Sequence, residues 1–157
     1  MRLRGLVVVS AIAVACLAAT VTTAAPAPAG TPSLEQRLLP PDNLRLPPSG
    51  AIRTPSGLRY VVLQRGKGSG RPNAASTVVI DYIGWDFKGR MFDSSVMRGE
   101  PASFRLNQVI AGWTEGVQLM VQGEKRRFWI PENLAYGGRP GAPQGMLVFE
   151  IELLEIQ

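Results

Sequence analysis

The sequence predicts an α+β domain over residues 56–157, in which about five antiparallel strands surround one short helix. Short stretches of alternating apolar and polar residues recur in this region between glycine-rich turns, a pattern typical of antiparallel strands. One stretch, 109–123, instead places apolar residues at helical spacing. Because the apolar face of such a sheet must be covered, we expect this helix to pack against it.

The predicted strands occupy 58–63, 76–85, 102–106, 125–130 and 146–156, with turns at 65–70 and 86–90, the second leading to 91–93. The alternation is clearest in 76–85, where Val78, Ile80 and Tyr82 share one face. The last strand repeats the pattern with Leu147, Phe149, Ile151 and Leu153. The glycine-rich turn at 65–70 lacks the spacing of a phosphate loop, and no helix follows it.

The helix begins after Ile110. Trp113, Val117, Met120 and Val121 recur at helical spacing, and Gly123 stands where a helix would end. A helix this short is not stable in isolation, so its apolar face must be buried by the sheet. Trp113 is then either a core residue or the floor of a binding site.

Residues 1–24 have the organisation of a secretory signal peptide. Arg2 and Arg4 precede an apolar run over 6–19, and small residues at 22–25 suit cleavage near Ala24. The only cysteine, Cys16, lies in that run. It is either removed with the signal or, if 13–16 is a lipoprotein signal, becomes a lipidated N-terminus.

Residues 25–55 form a proline-rich linker between the signal and the domain. Eight of the 13 prolines fall in this segment, which otherwise holds few large apolar residues. We therefore expect an extended tether, with one or two helical turns after Ser33 as N-cap.

Composition excludes several classes of function. Without Arg2 and Arg4, the sequence has 15 basic and 12 acidic residues, and this small excess of positive charge does not indicate nucleic-acid binding. The sequence has no histidine, so Ser-His-Asp, Cys-His and His-metal chemistry are excluded. No cofactor is expected. The basic run 125–127 is interpreted as a solvated strand end without a partner.

Aromatic and β-branched residues fall in separate elements, at Tyr82, Phe92, Val109, Ile110, Trp113, Tyr136 and Phe149. They form either a core or an apolar pocket with a few directed polar groups. Asp93 follows Phe92 directly, and Tyr136 lies beside two glycines, which is consistent with the pocket. Asp93 could also cap a local turn. The residues alone do not decide between a core and a pocket, or between a turn-capping role and a pocket role for Asp93.

The sequence contains three motifs: FDSS (92–95), VIAGW (109–113) and LAYGG (134–138). With LRYVVLQRGKG (58–68), VVIDYIGW (78–85) and LVFEIELLEI (147–156), they cover most of 54–156. This region closely resembles the FKBP family of peptidyl-prolyl cis-trans isomerases, above all secreted bacterial members of the macrophage infectivity potentiator type. The resemblance implies an FKBP-like sheet half-wrapped around the short helix, with an apolar pocket between them.

The resemblance also implies roles for individual residues. Trp113 would form the floor beneath a substrate proline ring, and the Ile110 N–H would hold a substrate carbonyl. Asp93 would project its carboxylate at the rim, and the Tyr136 hydroxyl would donate a hydrogen bond. The remaining substrate contacts implied are those of Tyr82, Phe92, Phe104, Val109, Ile110 and Phe149, with Tyr82 grouped among the catalytic residues.

The function implied is rotation of X–Pro peptide bonds, assisting the folding of exported proteins in the periplasm or, if Cys16 is lipidated, at the outer membrane. Expected ligands are proline-containing polypeptides and macrolide inhibitors of the FK506 and rapamycin class. The alternatives are a non-catalytic chaperone module that uses the same pocket and an interaction protein that acts through the linker. Ala102, where small cytosolic members carry an aromatic residue, and a short 138–145 loop leave substrate preference and macrolide affinity open.

Overall fold

Seven strands form one antiparallel sheet in the computed structural model, which describes residues 32–157. They are β1 (Ile52–Arg53), β2 (Arg59–Gln64), β3 (Thr77–Asp86), β4 (Met91–Ser94), β5 (Ala102–Arg105), β6 (Lys125–Ile130) and β7 (Leu147–Ile156). Their order is β1-β2-β6-β7-β3-β4, and β5 also pairs with β3. The predicted α+β class is confirmed. The sheet holds more strands than predicted, because the short β1 and the hairpin arm β4 also pair.

Three α-helices accompany the sheet within the same residues: α1 (Leu34–Leu38), α2 (Ser95–Arg98) and α3 (Ala111–Gln118). The N-cap expected at Ser33 is present. Its hydroxyl accepts a hydrogen bond from the Gln36 N–H at 3.2 Å, and the Gln36 side chain accepts one from the Ser33 N–H at 2.9 Å. This reciprocal pair fixes the first turn of α1.

Helix α3 ends earlier than the apolar spacing predicted. The N–H groups of Leu119 and Met120 bond to the carbonyls of Gly116 and Val117, three residues back, so the last turn tightens and stops. Gly123 is not the helix cap. With φ at 81°, it lies in the turn before β6, where its N–H donates to the Leu153 carbonyl at 2.7 Å.

Helix α3 covers the inner face of the sheet at very short range. A Cβ at Gly116 would lie 2.7 Å from Phe128 on β6, and one at Gly112 would overlap Ile130 on the same strand. Both glycines stand on one face of the helix, four residues apart. Their missing side chains let the helix backbone approach β6, which seats Trp113 within the core.

The inner core fills the space between α3 and the two long strands. Its buried members include Val78, Ile80 and Tyr82 of β3 and Leu147, Phe149, Ile151 and Leu153 of β7. These are the residues that alternation placed on common faces. The predicted burial pattern of both strands is therefore confirmed.

The outer face of the sheet is covered by residues 34–46, the N-terminal strap. Leu44 is only 7% exposed and packs with Ile83, Trp85, Trp129 and Val148. The prediction of an extended tether is wrong for this part of the linker. Its proline-rich composition gave little sign that one buried leucine would hold it to the sheet.

The strap also satisfies the polar atoms of the two outer tryptophans. Trp85 Nε1 donates to the Leu38 carbonyl at 3.1 Å, and Trp129 Nε1 donates to the carbonyls of Asn43 and Leu44 at 3.1 and 3.2 Å. A buried indole N–H without an acceptor would be costly. The strap therefore supplies both apolar cover and hydrogen-bond acceptors.

The basic run 125–127 is paired, contrary to the expected solvated strand end. Lys125 Nζ lies 3.1 Å from the Glu150 carboxylate, and Arg127 Nε donates to the same carboxylate at 3.0 Å. Arg126 is 6% exposed, pairs with Glu124 at 3.0 Å and places its guanidinium 4.5 Å from the Tyr60 ring centroid. Pairing of β6 with β7 brings Glu150 alongside Lys125 and Arg127, which the local sequence could not reveal.

None of the helices within residues 32–157 is both long enough and apolar enough to cross a membrane. The predicted signal peptide over 1–24, with Cys16, lies outside the described residues, as does the start of the linker.

We predict that Leu44→Ala lowers the free energy of unfolding by about 2–3 kcal/mol, because it empties a buried site under the strap. Leu46→Ala is the matched control, since Leu46 is 74% exposed and its loss should change stability by less than about 0.5 kcal/mol. Urea unfolding of the full chain measures both. Equal effects of the two substitutions would show that the strap does not stabilise the sheet.

Candidate active site

A pocket of about 450 Å³ opens between α3, the sheet and the loop that follows β6. Its lining consists of Tyr82, Phe92, Asp93, Phe104, Gln108, Val109, Ile110, Trp113, Ala135, Tyr136, Arg139 and Phe149. Every residue that the sequence analysis assigned to the site belongs to this lining. The structure therefore brings the predicted residues together from separate elements.

Trp113 forms part of the pocket and is 5% exposed. Three aromatic rings meet its indole nearly at right angles: Tyr82 at 5.0 Å, Phe149 at 5.1 Å and Phe104 at 5.5 Å between centroids. Edge-to-face contacts of this kind stabilise one orientation of the ring. The indole is thus fixed from several sides before any ligand binds.

Gly84 makes room for the aromatic wall. In the pairing of β3 with β7 it lies opposite Phe149, and a Cβ at this position would come within 2.5 Å of the Phe149 ring and 3.0 Å of Phe92. The two phenylalanine rings contact each other edge-to-face at 5.4 Å. Sequence analysis missed Gly84, although a glycine inside the strongest strand indicates close approach.

Ile110 lines the pocket at the start of α3. Its carbonyl accepts hydrogen bonds from the N–H groups of Trp113 and Thr114 at 2.9 and 3.1 Å. Its own N–H has no acceptor within residues 32–157. Since Ile110 lines the pocket, its N–H is a candidate donor to a carbonyl of a bound peptide.

Asp93 anchors a small polar network at the rim. Its carboxylate accepts hydrogen bonds from the Tyr82 hydroxyl at 2.6 Å and from Arg98 at 2.7 Å, and Arg98 also donates to the Tyr82 hydroxyl at 3.0 Å. Burial favours the neutral acid, but these bonds and the charge of Arg98 outweigh it, so the pKa of Asp93 lies below its usual value. The carboxylate is therefore ionised at neutral pH.

The polar residues of the FDSS motif have separate hydrogen-bonding roles. The Ser94 hydroxyl caps α2 by accepting from the Met97 N–H at 3.0 Å, and the Ser95 hydroxyl ties α2 to β3 through the Tyr82 N–H at 2.8 Å. The turn-capping role considered for Asp93 belongs in the structure to Ser94. Asp93 is left to face Tyr82 and Arg98.

Tyr136 brings a hydroxyl to the pocket from the loop after β6, and within residues 32–157 this hydroxyl has no hydrogen-bond partner from another side chain. Burial and the negative charge of Asp93 raise the pKa of Tyr136, and the charge of Arg139 partly opposes them. The phenol is therefore protonated at neutral pH and can donate a hydrogen bond to a ligand.

Besides Gly84, sequence analysis missed four residues at the site: Arg98, Gln108, Ala135 and Arg139. Arg98 closes on Asp93 because α2 makes a single turn between them and ends at Gly99. Of the others, Gln108 adjoins the motif VIAGW, and Ala135 lies within the motif LAYGG. Arg139 lies in the 138–145 loop, for which the sequence analysis considered the short length and not this side chain.

A family model described as FKBP-type peptidyl-prolyl cis-trans isomerase matches residues 68–154. The chain belongs to this family. The resemblance inferred from its motifs is thereby confirmed, as is the FKBP-like fold. The matched region includes every predicted site residue.

Named relatives support the assignment. The chain is 51% identical over 111 residues to the FKBP-type isomerase FkpA of Aeromonas hydrophila, which covers 69% of the chain and 41% of that protein. It is 39% identical over 112 residues to outer membrane protein MIP of Legionella longbeachae, covering 69% and 48%. The chain thus spans about half or less of these relatives' length.

A solved structure of comparable extent is a peptidyl-prolyl cis-trans isomerase from Pseudomonas syringae pv. tomato. It superposes with a TM-score of 0.64 at 35% identity and covers 73% of this chain and 86% of that one. The shared fold places the pocket described above on a framework common to the family.

We predict that Asp93→Asn removes an acid-sensitive part of the stability. Because the folded-state pKa of Asp93 is lowered, the ionised carboxylate stabilises the fold above its ordinary pKa near 3.8, and this contribution disappears as pH falls through the folded-state value. Since the carboxylate is partly exposed, the effect should be about 1 kcal/mol.

Unfolding free energies of both proteins between about pH 2 and about pH 7 measure this contribution. The difference between wild type and Asp93→Asn should be largest near neutrality and shrink in acid. A difference that stays constant across the range would contradict the assigned network.

Proposed function

We propose that this protein is a peptidyl-prolyl cis-trans isomerase that rotates X–Pro bonds in polypeptide substrates. The observation that carries the proposal is Trp113, fixed by three edge-on aromatic rings in a pocket that also presents the Tyr136 hydroxyl and the Ile110 N–H. Membership of the FKBP family supports the same reaction.

The reaction breaks no covalent bond, so it requires neither a nucleophile nor a metal. The obstacle is a rotational barrier of roughly 18–20 kcal/mol that arises from amide resonance. Hydrogen bonds from water to the substrate carbonyl stabilise the planar, charge-separated amide. Removing them in an apolar pocket favours the twisted state over the planar one.

We propose that Trp113 holds the proline ring while Phe92, Phe104, Val109 and Phe149 surround it. The Ile110 N–H then binds a carbonyl of the substrate backbone, and the Tyr136 hydroxyl donates a second hydrogen bond. Asp93 acts with Tyr82, whose hydroxyl it holds at 2.6 Å, to keep the rim rigid. The amide between these anchors remains free to rotate.

The energy required is within reach of these contacts. A rate gain of about a thousandfold to a millionfold needs only about 4–8 kcal/mol of transition-state stabilisation. Packed aromatic rings and one or two directed hydrogen bonds are of this order.

We further propose that the chain is exported and assists the folding of exported proteins. The pattern of residues 1–24 supports a signal peptide, and the name of the relative called outer membrane protein MIP is consistent with a place in the cell envelope. We propose a periplasmic location if the chain is cleaved near Ala24, and outer-membrane attachment if Cys16 is lipidated. Macrolides of the FK506 and rapamycin class would occupy the same pocket.

Replacing Trp113 tests the isomerase proposal. In a protease-free assay of a proline peptide, Trp113→Phe should lower kcat/KM at least about tenfold, since about 1.4 kcal/mol of lost transition-state contact suffices. The matched control is Trp129→Phe, which removes a buried indole from the opposite face of the sheet and should retain the rate. Trp113→Ala would in addition cost about 3–5 kcal/mol of stability.

Two other outcomes are informative. If the wild-type chain leaves the peptide at its uncatalysed rate, the isomerase proposal fails. If peptide binding persists in that case, the pocket serves the alternative function, a non-catalytic chaperone module.

The proposal also predicts a flat pH profile. The chain has no histidine, the pKa of Asp93 is lowered, and burial raises the pKa of both Tyr82 and Tyr136. No proposed catalytic group therefore changes charge between about pH 5 and about pH 9. We expect kcat/KM to be constant over this range, and a bell-shaped profile with a limb near neutrality would contradict the assigned residues.

A further inference from the structure

Arg139 places a positive charge in the lining of the pocket. It lines the pocket beside Tyr136, and no carboxylate of residues 32–157 lies within salt-bridge distance of its guanidinium. The charge of Arg139 acts on the Tyr136 hydroxyl, where it opposes the rise in that group's pKa. The guanidinium is thus close enough to influence a ligand in the pocket.

The backbone around Arg139 is held in place from both sides. Its N–H donates to the Tyr136 carbonyl at 3.1 Å, and its carbonyl accepts from the Ala142 N–H at 3.2 Å and from the Gln144 side chain at 2.8 Å. The loop also closes through Glu132, whose carboxylate accepts from the Gly145 N–H at 3.0 Å. The position of the arginine Cα relative to the pocket is therefore well defined.

The two charged side chains of the pocket lining, Asp93 and Arg139, differ in their pairing. Asp93 is paired with Arg98 at 2.7 Å, although its charge still acts on the Tyr136 hydroxyl together with that of Arg139. Glu132 accepts from the Gly145 N–H on the same loop and keeps its charge, but it forms no ion pair with Arg139. Of the two charged side chains that line the pocket, Arg139 is therefore the one without an ion-pair partner within residues 32–157.

From this geometry we infer that Arg139 is a specificity-determining residue, which favours proline sites flanked by an acidic residue. The inference rests on the proposed isomerase function and deepens it. A glutamate next to the bound proline would pair with the guanidinium, whereas a lysine there would be repelled. Because the arginine is exposed, the preference is modest and sensitive to salt.

The experiment compares three peptides that differ only in the residue before proline, which is Glu, Gln or Lys, and a second set that varies the residue after it. For the wild-type chain at low salt, we expect kcat/KM for Glu to exceed that for Lys by about two- to fivefold in at least one set. Arg139→Gln should bring the ratio close to one, and Arg139→Glu should reverse it. Arg71→Gln, which removes an exposed arginine outside the pocket lining, should leave the ratio unchanged.

Ionic strength provides a second test. If Arg139 only held the loop in place, the Glu-to-Lys ratio of kcat/KM would not depend on salt. The Glu-to-Lys ratio should fall towards one at about 1 M salt, where the Debye length is about 3 Å. Equal ratios in the wild type, Arg139→Gln and Arg139→Glu would overturn the inference, as would a ratio insensitive to salt. Absence of catalysis with every peptide would instead overturn the proposed isomerase function, so the two failures are distinguishable.

Discussion

The close contact between α3 and β6 is the constraint on which the pocket depends. Gly112 and Gly116 let the helix backbone lie against Phe128 and Ile130 where a methyl group at either position would collide. Only at this short distance does Trp113, on the first turn of the helix, meet the edges of the surrounding aromatic rings. The site is therefore built from the same packing that stabilises the core. Substitutions in it should be expected to alter stability and ligand binding together.

The polar groups of the site are of two kinds: those that hydrogen-bond to one another, and those without a hydrogen-bond partner within residues 32–157. Asp93, Tyr82 and Arg98 satisfy one another, so that each is fixed without a ligand. The Ile110 N–H and the Tyr136 hydroxyl, in contrast, lack partners within residues 32–157 and point to what a ligand must supply. A peptide backbone provides acceptors suited to both. The arrangement thus requires little reorganisation on binding, which is the condition for efficient use of weak contacts.

Local sequence predicted five of the seven strands, the short helix and the aromatic set, because alternation and helical spacing are themselves consequences of burial. The roles of Asp93 and Tyr136 came from motif resemblance. Neither local patterns nor motif resemblance could predict pairs of side chains that are far apart in the sequence. Nothing near Lys125 in the sequence indicates that β7 will place Glu150 beside it. Leu44 was missed for a similar reason, since its surroundings are proline-rich and its partners lie some forty residues or more along the chain. The end of α3 depends on a tight final turn that apolar spacing does not encode.

The strap has a consequence for spectroscopy. The chain contains three tryptophans, and they are divided between the two faces of the sheet. Trp113 lies in the pocket, whereas Trp85 and Trp129 lie under the strap and donate to its carbonyls. A ligand should therefore alter the emission of the first indole alone, and release of the strap that of the other two. With two of the three indoles removed in turn, intrinsic fluorescence could follow pocket occupancy and strap attachment as separate signals in one protein.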